Sequence, residues 1–271
     1  MMKISICGKG GSGKSAVTVL LAHGIRARGY DVVIVDSDES NSGLYRLLGF
    51  NEPPLPLLDL VGGKQQVKNV LPKTPLATSE KEINVIARDR IPLAGIPAPH
   101  IARRDGISLI AVGKILQSLE GCACPMGVLG REFLRKLELN ENEVALVDME
   151  AGVEHFGRGV DTGIDTVLIV VDPSYESLLL AERIKSMTSA IGISSIWTVL
   201  NKVTSSDVAS KLTHQLEKRD LRVIGAIGHD TEIFDAGLEG RAIQPRETPP
   251  AITSILNTLL DGSGDGHPRG Q

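Results

Sequence analysis

Aromatic residues are nearly missing from this chain: four Phe, three Tyr and one Trp make up 3% of its 271 residues. Hydrophobic residues still account for 42%, so a core has to be aliphatic, which suits Val/Ile-rich parallel strands covered by helices. Cysteine is equally sparse. Three thiols in a chain of this length build no disulfide framework and point to a reducing compartment. No apolar run approaches the roughly 18 residues needed to cross a bilayer. The N-terminus enters an apolar strand pattern at once, which leaves no room for a signal peptide. The expectation is a cytoplasmic protein with no membrane attachment. Positive charge is not in excess either. With 29 Lys and Arg against 33 Asp and Glu, the formal net charge of −4 gives no electrostatic reason to expect nucleic acid as a partner.

What the chain does have is glycine where it counts. Gly8-Lys9-Gly10-Gly11-Ser12-Gly13-Lys14-Ser15 follows the apolar run Ile4-Ser5-Ile6-Cys7 and fits G-x-x-x-x-G-K-[ST]. Such a loop turns backbone N–H groups onto a β-phosphate, and the helix that follows adds its positive end. Lys14 is expected to reach the β- and γ-phosphates, Ser15 to offer its hydroxyl to Mg²⁺, and the binding segment to run from Gly8 through Ala16. The same letters also spell G-x-G-x-x-G at Gly8, Gly10 and Gly13, with Asp36 closing the second strand, a dinucleotide pattern. Lys14 and Ser15 favour the nucleoside triphosphate, because a dinucleotide loop wants a small residue packing onto the sheet there.

Apolar strand patterns alternate with helical ones. Strands are predicted at 3–7, 31–35, 143–147, 166–171, 195–200 and 221–226, and helices at 14–28, 174–191, 207–219 and 250–260. That alternation predicts an α/β fold, a doubly wound and mostly parallel sheet flanked by helices. Residues 51–121 are dense in proline, with short strand-like pieces at 83–87 and 107–112. They read as an insertion in a single domain spanning 1–261, followed by a Gly-rich, polar and disordered tail, 262–271. No internal repeat is visible.

Polar residues cluster at the carboxyl ends of the apolar strands, where open α/β sheets bind ligands. Asp148, in Leu146-Val147-Asp148-Met149-Glu150-Ala151-Gly152, stands where a carboxylate would hold Mg²⁺ through water. Gly152 suits a switch whose backbone moves when the γ-phosphate leaves. Asp36 and Asp38 offer two carboxylates about 7 Å apart on one strand face, Asp36 for the Mg²⁺ shell and Asp38 to orient or deprotonate the attacking water. The plain alternative is that they cap the next segment. Asn201 and Lys202 are read as following a strand, where the Asn amide can pair with a purine edge.

Cys122-Ala123-Cys124-Pro125 is the second sharp motif. Pro125 favours the first turn of a helix running to about 137, and a helix N-terminus stabilises the Cys124 thiolate. Thiolate-bound transition metals usually take four ligands, and only two are offered here. A two-fold dimer giving a Cys₄ site on its axis is the economical solution; two structural thiols or a redox pair are the alternatives. Cys7 reads as plain core. Lys9 cannot easily reach its own γ-phosphate from the outer side of the loop, but it can reach across a dimer and stabilise the transferring group as an arginine finger does.

Together these residues resemble the deviant Walker A P-loop ATPases, the group that holds MinD, ParA and the nitrogenase iron protein. The stretches GKGGSGKS, DMEAGVEHFGRG, GCACPMGVLGREFL and EIFDAGLEG look closer still to the CooC family, nickel-insertion accessory ATPases of carbon monoxide dehydrogenase. That resemblance covers most of residues 3–240. It implies an ATP/ADP-binding, Mg²⁺-dependent ATPase that dimerises with ATP. It also implies nickel or zinc bound between two subunits by Cys122 and Cys124, and a client nickel enzyme of the carbon monoxide dehydrogenase or acetyl-CoA synthase type. One departure is Ile227-Gly228-His229-Asp230, where many relatives have Pro after the strand, which bears on the adenine pocket. Two rival classes share the loop. Against a MinD/ParA-like positioning ATPase, the last helix lacks basic residues for anionic lipid. Against an ATP-dependent iron–sulfur reductase, the two cysteines are close together rather than well separated.

Overall fold

Strand and helix alternate along the chain in the computed structural model, which describes residues 2–70, 85–114, 124–152, 163–245 and 247–261. In order the elements are β1 (Met2–Gly8), α1 (Lys14–Ala27), β2 (Asp31–Ser37), α2 (Leu44–Leu47), α3 (Leu57–Leu60), α4 (Gly63–Val70) and β3 (Ile91–Pro92). Then come β4 (Ala102–Arg104), β5 (Ile107–Ala111), α5 (Cys124–Lys136), β6 (Leu137–Glu138), β7 (Glu143–Met149), β8 (Thr166–Val171) and α6 (Tyr175–Ala190). The chain continues with β9 (Ile196–Val203), α7 (Ser206–Glu217), β10 (Val223–Gly228), α8 (Thr231–Glu239) and α9 (Pro250–Leu256).

Eight strands form one sheet in the order β10-β9-β8-β1-β7-β2-β5-β4, and β3 pairs with β6 apart from it. Every neighbouring pair of the large sheet is parallel except the edge pair β4 and β5. The predicted mostly parallel, doubly wound α/β sheet is what forms. From β1 the chain builds outward through β2 on one side and later through β8 on the other. The carboxyl end of β1 is thus the switch point at which such sheets open a crevice.

Both faces of the sheet are covered, which is why its strands read as continuous apolar runs. On one face Val33, Val35, Val147 and Ile169 pack against Leu129 and Phe133 of α5 and Ile184 of α6. On the other, Ile4, Ile34, Leu146 and Leu168 meet Val17, Leu21 and Ile25 of α1 and Ile252 of α9. Cys7 belongs to the first layer and is 1% exposed, a core residue as expected.

Local chemistry sets the helix starts. The side chains of Ser174, Ser205 and Asp230 accept hydrogen bonds from the first free N–H groups of α6, α7 and α8, satisfying donors that have no partner within the helix. Helix α8 was not anticipated from sequence; Gly237 near its end lowers the local helix propensity, and the Asp230 cap starts it regardless.

Parts of the interval 51–121 are integral to the sheet, since β5 runs parallel to β2. The strand-like piece expected at 83–87 is not a strand where the structure describes it. Residues 83 and 84 lie outside the described residues, and Val85–Ala87 form bends. The N–H groups of Val85 and Ile86 are taken by the buried Glu132 carboxylate of α5 at 2.8 and 3.1 Å, which replaces strand pairing. The tail 262–271 also lies outside the described residues.

Candidate nucleotide and metal site

The glycine-rich loop spans from the end of β1 to the start of α1. Gly8 (φ 148°) and Gly13 (φ 92°) have backbone conformations that side chains rarely adopt. A Cβ at Gly8 would collide with the Val170 carbonyl and one at Gly13 with the Asn201 amide. Within the loop Ser12 N donates to Lys9 O at 3.1 Å, and the Lys14 ammonium lies 3.4 Å from the same carbonyl. Asn201 and Lys202 brace the loop from behind: Asn201 Nδ2 donates to Ser12 O at 2.8 Å and Lys202 Nζ to Gly11 O at 2.7 Å. Contrary to expectation they do not follow a strand but lie within β9. Lys202 has a φ of 59° there, and the pairing with β10 is irregular at that end.

Two carboxylates meet beyond the loop. Asp36 and Asp148 are direct partners in the β2–β7 ladder. Ser15 Oγ donates to Asp148 Oδ2 at 2.7 Å and accepts from Asn41 Nδ2 at 3.0 Å. Asp148 is fully buried, and its Oδ1 has no hydrogen-bond partner among the described residues. Burial pushes its carboxyl up to about 7; the Ser15 hydrogen bond works against this and the Asp36 charge adds to it. Asp36 is raised to about 6, again chiefly by burial, with the Lys114 ammonium opposing.

Asp38 departs from the sequence reading. β2 ends at Ser37, so Asp36 and Asp38 do not share a strand face. Asp38 Oδ1 accepts from Ser40 N, Ser40 Oγ and Asn41 N at 2.9, 2.7 and 3.0 Å, which makes it the cap of the following turn. Lys9 points across to the end of β8, where its ammonium meets Ser174 Oγ at 2.9 Å and Asp172 Oδ2 at 3.3 Å. Burial alone would raise the Asp172 carboxyl, but hydrogen bonds from Ser174 and Ser177 and the Lys9 charge outweigh it and hold the pKa below its ordinary value.

A cavity of about 280 Å³ adjoins Gly13 and Ala16, walled by Asn201, His229 and the α8 residues Phe234 and Leu238. The Gly228–His229 turn, the departure noted in the sequence, therefore borders it. Cys122 lies outside the described residues. Cys124 opens α5 with Pro125 as its second residue, and among the described residues no group of three or more His, Cys, Asp or Glu forms a metal cluster. Sequence reasoning missed Lys114, Asn41 and Ser174. Only their places just after apolar strands could have signalled them.

Residues with metal-binding chemistry fit a hard divalent cation beside the loop: a buried carboxylate oxygen without a partner among the described residues, a second buried carboxylate and a serine hydroxyl, all oxygen donors. No helix among the described residues is long and apolar enough to cross a membrane.

Comparison with known proteins agrees with this geometry. The chain is 40% identical over 242 residues to an uncharacterized ATP-binding protein of Methanocaldococcus jannaschii, covering 89% of this chain and 94% of that one. It is 30% identical over 259 residues to the carbon monoxide dehydrogenase accessory protein CooC of Rhodospirillum rubrum, covering 96% and 95%. In fold it is similar to the cell division ATPase MinD of Pyrococcus furiosus, with a TM-score of 0.64 and 19% identity over 96% of this chain and 98% of that one. Residues 4–243 match the CobQ/CobB/MinD/ParA nucleotide binding domain. With its phosphate loop at the sheet's switch point and its acidic strand ends beside it, the chain belongs to this CobQ/CobB/MinD/ParA family of P-loop ATPases.

Proposed function

We propose that the chain is a Mg²⁺-dependent ATPase that dimerises with ATP and assists nickel insertion into carbon monoxide dehydrogenase or a related nickel enzyme. The observation that carries this reading is the packing of α5, the helix that Cys124 opens. It lies on the strands that end in the proposed nucleotide carboxylates: a Cβ at Gly130 of α5 would meet Ser37 Oγ at 3.4 Å. The 30% identity to CooC along nearly the whole chain supports the same reading.

In this reading the loop N–H groups from Gly8 to Ser15 and the start of α1 hold the β-phosphate, and Lys14 bridges to the γ-phosphate. Ser15, Asp36 and Asp148 hold Mg²⁺, which when bound supplies positive charge to the phosphate oxygens. Asp38 orients the attacking water. The water oxygen bonds to the γ-phosphorus, the bond from that phosphorus to the β–γ bridging oxygen breaks, ADP leaves, and the water's protons go to the inorganic phosphate formed and to solvent. Asn201, Lys202 and the adjoining cavity take the adenine side. Lys9 of each subunit supplies charge to the partner's γ-phosphate. Nickel is the cargo, held by Cys122 and Cys124 from both subunits.

Metal content and oligomeric state measured with and without ATP test this. The expected result is one nickel per ATP-bound dimer, lost in a Cys122→Ala/Cys124→Ala double mutant that still binds ATP. Unchanged metal stoichiometry in that mutant refutes the CxC site. A dimer without metal would instead support a MinD-like positioning ATPase. Broad iron–sulfur absorption near 400 nm would support a reductase.

A further inference from the structure

The carboxyl ends of β2 and β5 hold a cation that the proposed reaction does not use. The side chain of Lys114 is 15% exposed, and its ammonium lies 2.7 Å from Asp36 Oδ1. The same ammonium donates to the backbone carbonyls of Asp38 and Asn41. These three acceptors use all three of its donors. Asn41, fixed in this way, donates from its side chain to Ser15 Oγ at 3.0 Å. One lysine therefore organises Asp36, the Asp38–Asn41 turn and, through Asn41, the serine of the phosphate loop.

Buried carboxylates need a counter-charge. Asp36 and Asp148 are adjacent in the ladder, and Lys114 is the cation bonded to Asp36. A divalent cation sharing Asp36 and Ser15 would stand within a few ångströms of this ammonium. The two would repel strongly in a partly buried site. The Asn41 N–H dipole, aimed at Ser15 Oγ, opposes the same cation.

We propose that Lys114 competes with the divalent cation for Asp36, so that Mg²⁺–nucleotide binding drives the lysine off the carboxylate and releases the Asp38–Asn41 turn. This rests on the Mg²⁺ reading given above. The displacement also has a route to the start of α5 at Cys124. The neighbouring Gly113 packs so closely on α5 that a Cβ there would meet Met126 Sδ at 2.7 Å. Met126 lies two residues after Cys124 in the first turn of that helix. A shift of the Lys114 backbone therefore bears on the helix that the cysteine opens.

The test titrates Mg²⁺ against fluorescent ADP binding by the full chain. In Lys114→Met the Mg²⁺ midpoint falls about tenfold, within the range of site-to-site couplings, while Lys114→Arg keeps the wild-type midpoint. If wild-type ADP binding responds to Mg²⁺ but Lys114→Met does so at the same concentration, the inference is overturned and the metal reading stands. If wild-type binding is indifferent to Mg²⁺, both fall. A measurement on the wild type alone covers the case in which the variants do not fold. Acylation of Lys114, read by mass spectrometry, rises when Mg²⁺–ADP replaces ADP with EDTA; unchanged reactivity overturns the inference.

Discussion

Burial lifts the Asp148 carboxyl to about 7, so between the unfolded value near 3.8 and that figure the folded chain holds a proton that the unfolded chain has released. For an acid whose folded pKa is raised, stability is greatest below the unfolded pKa and declines as pH rises through the folded one. The metal-free protein is therefore expected to melt at a lower temperature at about pH 8 than at about pH 5. Asp148→Asn should flatten much of that slope, because the amide keeps the Ser15 contact without a titrating charge. At the proposed Mg²⁺ site the cation reverses the sense. It needs the ionised carboxylate, so its stabilising increment grows as pH rises through the range from about 6 to about 7 that Asp36 and Asp148 define. Thermal melts of both proteins at the two pH values check this; equal slopes refute it.

Elements were legible where burial dictated them. The runs at β1, β2, β7 and β8 are apolar because both faces of the sheet are covered, and that pattern survives without any tertiary information. The phosphate loop was legible for the same kind of reason, since only glycine fits at Gly8 and Gly13. What the sequence hid depends on contacts across the chain. Asp38 looks like a strand carboxylate until its hydrogen bonds to Ser40 and Asn41 are seen. Lys114 gains meaning only because β5 lies beside β2. Helix α1 illustrates how such contacts fix element placement. A Cβ at Gly24 would meet Leu256 at 2.7 Å and Ile252 at 2.8 Å, so α1 and α9 approach as closely as a glycine allows. Gly24→Val should cost about 1–3 kcal/mol by overpacking, seen as a lower denaturant midpoint with unchanged slope. An unchanged midpoint would mean that α9 yields freely.

At the scale of the whole molecule, the position of Lys9 bears on how two copies meet. Its ammonium faces away from its own phosphate site toward Asp172 and Ser174. Beside that contact the first turns of α6 expose Tyr175 (63%) and Leu179 (37%). A partly exposed ion pair is worth only about 0–1 kcal/mol, so a partner's γ-phosphate, which offers more charge, can draw the lysine away at small cost. The same weakness separates two roles for the residue. If Lys9 only steadied the end of β8, Lys9→Ala would lower stability slightly and leave turnover intact. If it completes the partner's site, Lys9→Ala should keep the melting temperature and ADP binding, yet lose ATP-dependent dimerisation and at least about a thousandfold in hydrolysis, the scale of a charge supplied in trans. Light scattering with ATP and a phosphate-release assay distinguish the two outcomes, and full ATPase activity in the mutant would remove the trans role of Lys9.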